Sequence, residues 1–311
     1  ISTWLDRELG IAGKVVVKTA KGYKVESVDF KKPVAIIPNV AIHLNREVNK
    51  GFSYNAQTQL NALLSVSASA ENPLYNAIAE ELKIKEEQIL ETELFLYDFA
   101  PAQLIGLNQE MITAQGLDNL SMTHCILSAL LKCDKPQKTA VGIFFDNEEI
   151  GSLTSQGADS LLLDEILERI CLSQSNSRED FYLALRNSFF ISADVANAWH
   201  PSFSEKYDPD YAPLMNKGPV IKFDAYSRYA SNAESSYHFI HLCEKVKVPY
   251  QKFVVRSDGT GGITIGPILS ARLGLNTVDI GNPIWAMHSI RETGGIEDHL
   301  YLIKVLSQYF G

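Results

Sequence analysis

Val141-Gly142-Ile143-Phe144-Phe145-Asp146-Asn147-Glu148-Glu149-Ile150-Gly151 joins an apolar run to two adjacent carboxylates. Residues 140–145 are short, β-branched and aromatic, which predicts a buried strand. The acids then fall where a loop would leave the sheet. Neighbouring carboxylates repel, so a folded chain keeps them together where a cation, a proton or solvent relieves the repulsion. Taken alone, D-N-E-E reads as a solvated acidic turn. The surrounding sequence has to decide between a turn and a site.

Outward from this stretch, strand and helix patterns alternate. Helical spacing precedes it over 120–131 and follows it over 160–172; strands are predicted at 189–193, 220–223, 252–255 and 277–280, with a helix over 234–245. The last segment, 296–310, places Ile296, Leu300, Ile303, Leu306 and Phe310 on one helical face. Such alternation predicts an α/β fold, a sheet sandwiched by helices. The N-terminal part differs. Short β-rich pieces at 15–17, 23–28 and 34–37 are separated by Lys-Gly and Lys-Lys-Pro turns, a polar stretch covers 45–57, and Asn72-Pro73 opens a helix over 74–82. Residues 1–95 are therefore expected to form a smaller β-rich domain, and 96–311 the α/β domain.

Composition narrows the function. With 46% hydrophobic and 21% charged residues in 311, the chain can bury a sizeable core. A formal charge of −9 and the lack of a basic stripe argue against a nucleic-acid partner. No apolar run reaches the roughly 18 to 20 residues that span a bilayer, and the N-terminus lacks a signal-peptide pattern, so no membrane partner is expected. The four cysteines, 125, 133, 171 and 243, show no C-x-x-C spacing and read as free thiols of a reducing compartment, the cytoplasm. The chain opens on Ile1-Ser2-Thr3-Trp4 without Met, and an upstream piece is expected to be absent.

Four places put an acid or an imidazole at a strand or loop end: Asp118, the Glu148-Glu149 pair, Asp194 and His288. In open α/β sheets, sites form beyond the carboxyl ends of strands, where distant sequence positions converge. Carboxylate oxygens with one imidazole suit zinc, cobalt or manganese. Singly, Asp118 reads as a helix N-cap and His288 as a hydrogen-bonded core histidine. The glycine-rich loop 256–267 fits neither G-x-G-x-x-G nor a P-loop, and reads as a flexible wall beside a substrate. No serine lies in G-x-S-x-G. Phe144, Phe145, Phe189 and Phe190 are expected in strand cores.

The chain resembles the aspartyl aminopeptidases and vacuolar aminopeptidase I, a family of dizinc exopeptidases. The resemblance rests on ordered blocks along the whole chain: Ser2-Thr3-Trp4-Leu5-Asp6-Arg7-Glu8-Leu9, Ile36-Ile37-Pro38-Asn39-Val40-Ala41-Ile42-His43-Leu44, Phe145-Asp146-Asn147-Glu148-Glu149-Ile150-Gly151-Ser152, Asn216-Lys217-Gly218-Pro219-Val220-Ile221-Lys222, Thr264-Ile265-Gly266-Pro267-Ile268 and Ala286-Met287-His288-Ser289-Ile290-Arg291-Glu292. It implies two divalent ions, zinc first, bridged by Asp118, with Asp194 completing one shell and Glu149 and His288 the other. Glu148 would be the general base. His43 would reach a neighbouring subunit's site, while Lys222 and Tyr229 would contact substrate; by residue type alone, His43 reads as a loop histidine and Lys222 as a solvated lysine.

The family's further zinc-ligating His lies upstream of the Trp4 block, before any of the seven histidines here. Asn197 stands where the family usually has a substrate-contacting His, and it cannot carry positive charge. That weakens the case for preference toward acidic N-terminal residues. The resemblance also implies dimers, formed through the small domain, that assemble into a tetrahedral dodecamer acting on short peptides. The expected function is thus metal-dependent removal of N-terminal residues. The alternatives are a non-catalytic shell or scaffold subunit, or a related dimetal amidohydrolase.

Overall fold

The computed structural model describes residues 1–66, 72–259 and 261–311. The chain divides into two compact units, one of Ile1–Ala102 with Ser289–Arg291, the other of Gln103–His288 with Glu292–Gly311.

In the first unit, β1 (Leu9–Thr19) pairs antiparallel with β2 (Gly22–Asp29) and with β3 (Ile89–Asp98), giving the order β2-β1-β3. Period-two alternation in β1 turns Leu9, Ile11, Val15 and Val17 into the core. Gly13 allows β3 to lie close, since a Cβ there would sit 2.0 Å from the Glu93 carbonyl oxygen. Helix α1 (Ala56–Gln59) is capped by Asn55, and α2 (Pro73–Leu82) by Asn72, with Pro in its first turn. Ile78 and Ala79 of α2 pack into the same core as Ile290. The piece expected as a strand at 34–37 forms isolated bridges only, Ala35 to Leu9 and Ile36 to Leu63. Pro33 and Pro38 bracket it and lack the N–H a longer ladder needs. Position 95, the expected end of the small domain, falls inside β3.

The second unit contains β4 (Gln103–Ile105), β5 (Met111–Ala114), α3 (Leu117–Leu131), α4 (Leu162–Ser173), α5 (Arg178–Arg186), β6 (Phe189–Ala193), β7 (Ala196–Asn197), β8 (Val220–Phe223), α6 (Ala233–Lys245), β9 (Gln251–Val254), α7 (Ile265–Leu273), β10 (Asn276–Gly281), β11 (Pro283–Trp285), β12 (Glu292–Gly295) and α8 (Ile296–Phe310). Its strands form two sheets, β6-β10-β8-β9 and β4-β5-β12-β11-β7. Alternation along β6 explains the sandwich: Phe189 and Ile191 pack toward a core with residues of α3, α6 and α8, while Phe190 packs toward one formed by α4, α5 and α7. Phe239 of α6 and Leu302 of α8 are wholly buried, worth about 1.5–3 kcal/mol each by transfer. No described helix is long and apolar enough to cross a membrane.

Two expectations fail here. Residues 140–145 form no ladder among the described residues, and Val141 and Phe144 are exposed. High β propensity states how well residues fit a pleated surface, whereas a strand also needs a neighbour to bond its N–H and C=O groups. Phe144 is accordingly not a core residue. In the glycine-rich loop, Thr260 lies outside the described residues, and the end of the loop is the start of α7, with Pro267 in its first turn. A Cβ on Gly266 would sit 2.3 Å from the Asp279 carboxylate, so glycine is needed for packing there.

Candidate metal centre

Asp118 stands at the entry to α3 but outside helical geometry, with φ −82° and ψ 108°, and the peptide bond to Asn119 is cis. It is not the N-cap expected from its residue type: Gly116 holds that position, without a side-chain cap bond. The Asn119 side-chain amide donates to the Ala193 carbonyl at 2.9 Å, tying the helix entry to the end of β6. Asp194 follows directly. Glu148 and Glu149 occupy a single helical turn between two left-handed residues, Asn147 (φ 61°) and Gly151 (φ 98°). His288 is also left-handed, at φ 65°.

These backbones bring three donors together. The His288 Nε2 lies 3.1 Å from Asp118 Oδ2 and 3.4 Å from Glu149 Oε2. One ligand atom from each residue falls within 4.8 Å of the other two. Asp118 is enclosed, while Glu149 and His288 face solvent, so the triad is open on one side. Glu148, Glu149, Asp118 and Asp194 line one cleft of about 250 Å3.

Burial, then the charges of Asp194, Glu149, Glu292 and Glu148, push the Asp118 pKa up to about 8. Glu148 is raised too, by burial and by Asp194 and Glu149, with Lys222 and His288 pulling the other way. So many carboxylates need a proton or a cation among them at neutral pH. The donor set fits a divalent ion. Oxygen and imidazole ligands around an open position are what zinc, cobalt or manganese take.

The other expected residues fall differently. Lys222 is not solvated; it is 2% exposed, and its ammonium donates to the Asp194 carbonyl at 2.9 Å, to Asp194 Oδ2 at 3.2 Å and to the Val195 carbonyl at 3.2 Å. Those bonds use all three of its donors. Burial alone would lower its pKa, but Asp194, Asp279 and Tyr229 outweigh that and raise it. The ammonium stands 5.1 Å above the ring of Tyr229, itself buried. Asn197 is exposed on β7, paired through its backbone with Ile284. His43 lies exposed in a turn of the first unit.

Sequence reasoning missed Glu292. It is 2% exposed and begins β12, next to Ala114 of β5. Oε2 accepts the Asp118 N–H at 2.8 Å, and Oε1 accepts the His288 N–H at 2.7 Å. Only its place four residues after His288 hinted at this.

The profile of the family described as Aminopeptidase I zinc metalloprotease (M18) matches residues 1–310. The chain belongs to the M18 family. A probable M18 family aminopeptidase 2 from Clostridium acetobutylicum is 46% identical over all of this chain and 73% of its own length. One from Azotobacter vinelandii is 43% identical, over all of this chain and 72% of its own. Among solved structures, Ape4 in its complex with Nbr1 superposes with a TM-score of 0.93 at 35% identity, over 99% of this chain and 64% of that one. Mature Ape1 of Chaetomium thermophilum gives 0.84 at 29%, over 100% and 72%. This M18 chain therefore spans between about two thirds and three quarters of the length of such relatives. Aminopeptidase I structures share its mixed α/β fold.

Proposed function

We propose that this M18 chain is a metal-dependent aminopeptidase that removes N-terminal residues from short peptides. The carrying observation is the convergence of Asp118, Glu149 and His288, with Glu148 and Asp194 on the same cleft. Asp118, Glu149 and His288 would hold one divalent ion, and Asp118 with Asp194 a second; zinc suits both, and cobalt or manganese fit the same donors. When bound, such ions supply Lewis acidity that polarises a carbonyl and acidifies water. Glu148 would take the proton of the attacking water on its carboxylate and pass it to the leaving amine as the peptide C–N bond breaks. Lys222 holds Asp194 in place from behind.

Release of N-terminal residues from aminoacyl anilides, with added Zn2+, Co2+ or Mn2+, tests this. Chelator-sensitive release is expected, with free-amine peptides cleaved and acetylated amines left intact. Inactivity with every metal would support the scaffold reading, and cleavage of acetylated amines an amidohydrolase. Asn197 in place of an ionisable His predicts a neutral or broad preference for the first residue.

The related S. cerevisiae Ape1 is described as a dodecamer. We infer that this chain also forms a homo-oligomer, dimers building a dodecamer in the cytoplasm, with His43 contacting substrate in a neighbouring subunit. Light scattering should give about twelve times the mass of the chain; a monomer would exclude that role for His43.

A further inference from the structure

Asp118 and His288 are far apart in sequence, yet their side chains meet at 3.1 Å. Neither backbone is held by regular structure at that point. Asp118 interrupts helical geometry, and His288 is left-handed. Both N–H groups would lack the acceptor that a helix or ladder supplies. Glu292 provides it for both, one carboxylate oxygen to each, at 2.8 and 2.7 Å. Its own backbone is fixed at the start of β12 by pairing with Ala114.

We propose that Glu292 is a positioning residue, a carboxylate clamp that sets the Asp118 and His288 backbones so that their side chains converge on one cation. A carboxylate suits this task because it offers two acceptors and no donor. Glutamine keeps one acceptor but turns an NH2 toward the second N–H, so one of the two bonds must fail. Arg291, one residue earlier, bonds Asp98 and the Ala100 and Pro101 carbonyls. The consequence for metal rests on the site reading above, whereas the clamp itself does not.

Two readouts on Glu292→Gln separate them. In metal-free protein, residue-resolved hydrogen exchange at the Asp118 and His288 amides should speed up at least about tenfold, with the remainder of α3 unchanged. Zinc affinity, measured by competition with a chromophoric chelator, should fall about 10- to 100-fold, as it does when a group orienting a ligand is removed. Unchanged exchange at both amides, or a general loss of protection with zinc affinity intact, overturns the clamp. If wild type binds no zinc, the metal reading fails while the exchange data still decide the clamp. Should Glu292→Gln not fold, Glu292→Asp keeps the charge on a shorter arm. The same two readouts should then move part of the way, and no movement overturns the proposal.

Discussion

At the residue scale, the two acids of the opening stretch take different positions. Glu149 approaches His288 and shares the donor triad, while Glu148 is raised in pKa and stays outside it. Glu148→Gln should therefore lower the rate of residue release by about 10² to 10⁴ while leaving bound zinc unchanged, by elemental analysis. Equal losses of zinc and activity would make Glu148 a ligand instead. Residue type and position at strand or loop ends marked Asp118, Glu149, Asp194 and His288 as candidates in the sequence, and the structure brings Asp118, Glu149 and His288 together. The orientation of Lys222 and the clamp of Glu292 were not legible in the sequence, because a buried lysine and a buried glutamate carry the same letters as solvated ones. What distinguishes them is the set of acceptors and donors folded around them.

At the element scale, helices and central strands were legible where the periodicity of apolar residues was clear. The pattern at 296–310 became α8, and that at 189–193 became β6. Residues 140–145 had the propensity of a strand but no ladder partner among the described residues, and the start of α7 was masked by a Gly-Pro pair that reads as a turn. Buried acids fasten several of these elements. Asp98 takes Arg7 at 2.9 Å and Arg291 at 2.8 Å, which anchors residues 289–291 to β3. Removing one partner of a buried ionic group strands the other charges, so Asp98→Ala should cost about 3–5 kcal/mol in denaturant unfolding. A change under ~1 kcal/mol would show the group to be a solvated pair. In the first turn of α8, Asp298 accepts the N–H groups of Asn216 at 2.5 Å and Gly218 at 2.7 Å. Burial lifts its pKa to about 6, against the pull of those bonds. A carboxyl raised in the native state binds its proton longer than the unfolded chain does. Its contribution to stability thus falls as pH rises from about 4 to 6, by on the order of 3 kcal/mol, and is level above that. Relative to Asp298→Asn, wild type should lose stability across that window; a parallel pH dependence of the two would contradict the shift.

At the scale of the whole molecule, an α/β unit with helices on both faces of its β6-β10-β8-β9 sheet carries all the proposed ligands, and a smaller β-rich unit carries His43. Alternation of strand and helix pointed to a change of pattern near residue 95, whereas the first unit runs to Ala102 and takes in residues 289–291. Which acids meet was decided by loops and by a sheet register that pairs Glu292 with Ala114, neither of which a single sequence states. The central claim is that Asp118, Glu149 and His288 hold a divalent cation. Zinc content after loading and exhaustive dialysis tests it most directly, compared between wild type and His288→Ala. Retained zinc in wild type, lower by at least about one ion per chain in a folded His288→Ala protein, is the predicted result. Wild type that retains no zinc, or equal zinc in both proteins, would contradict it.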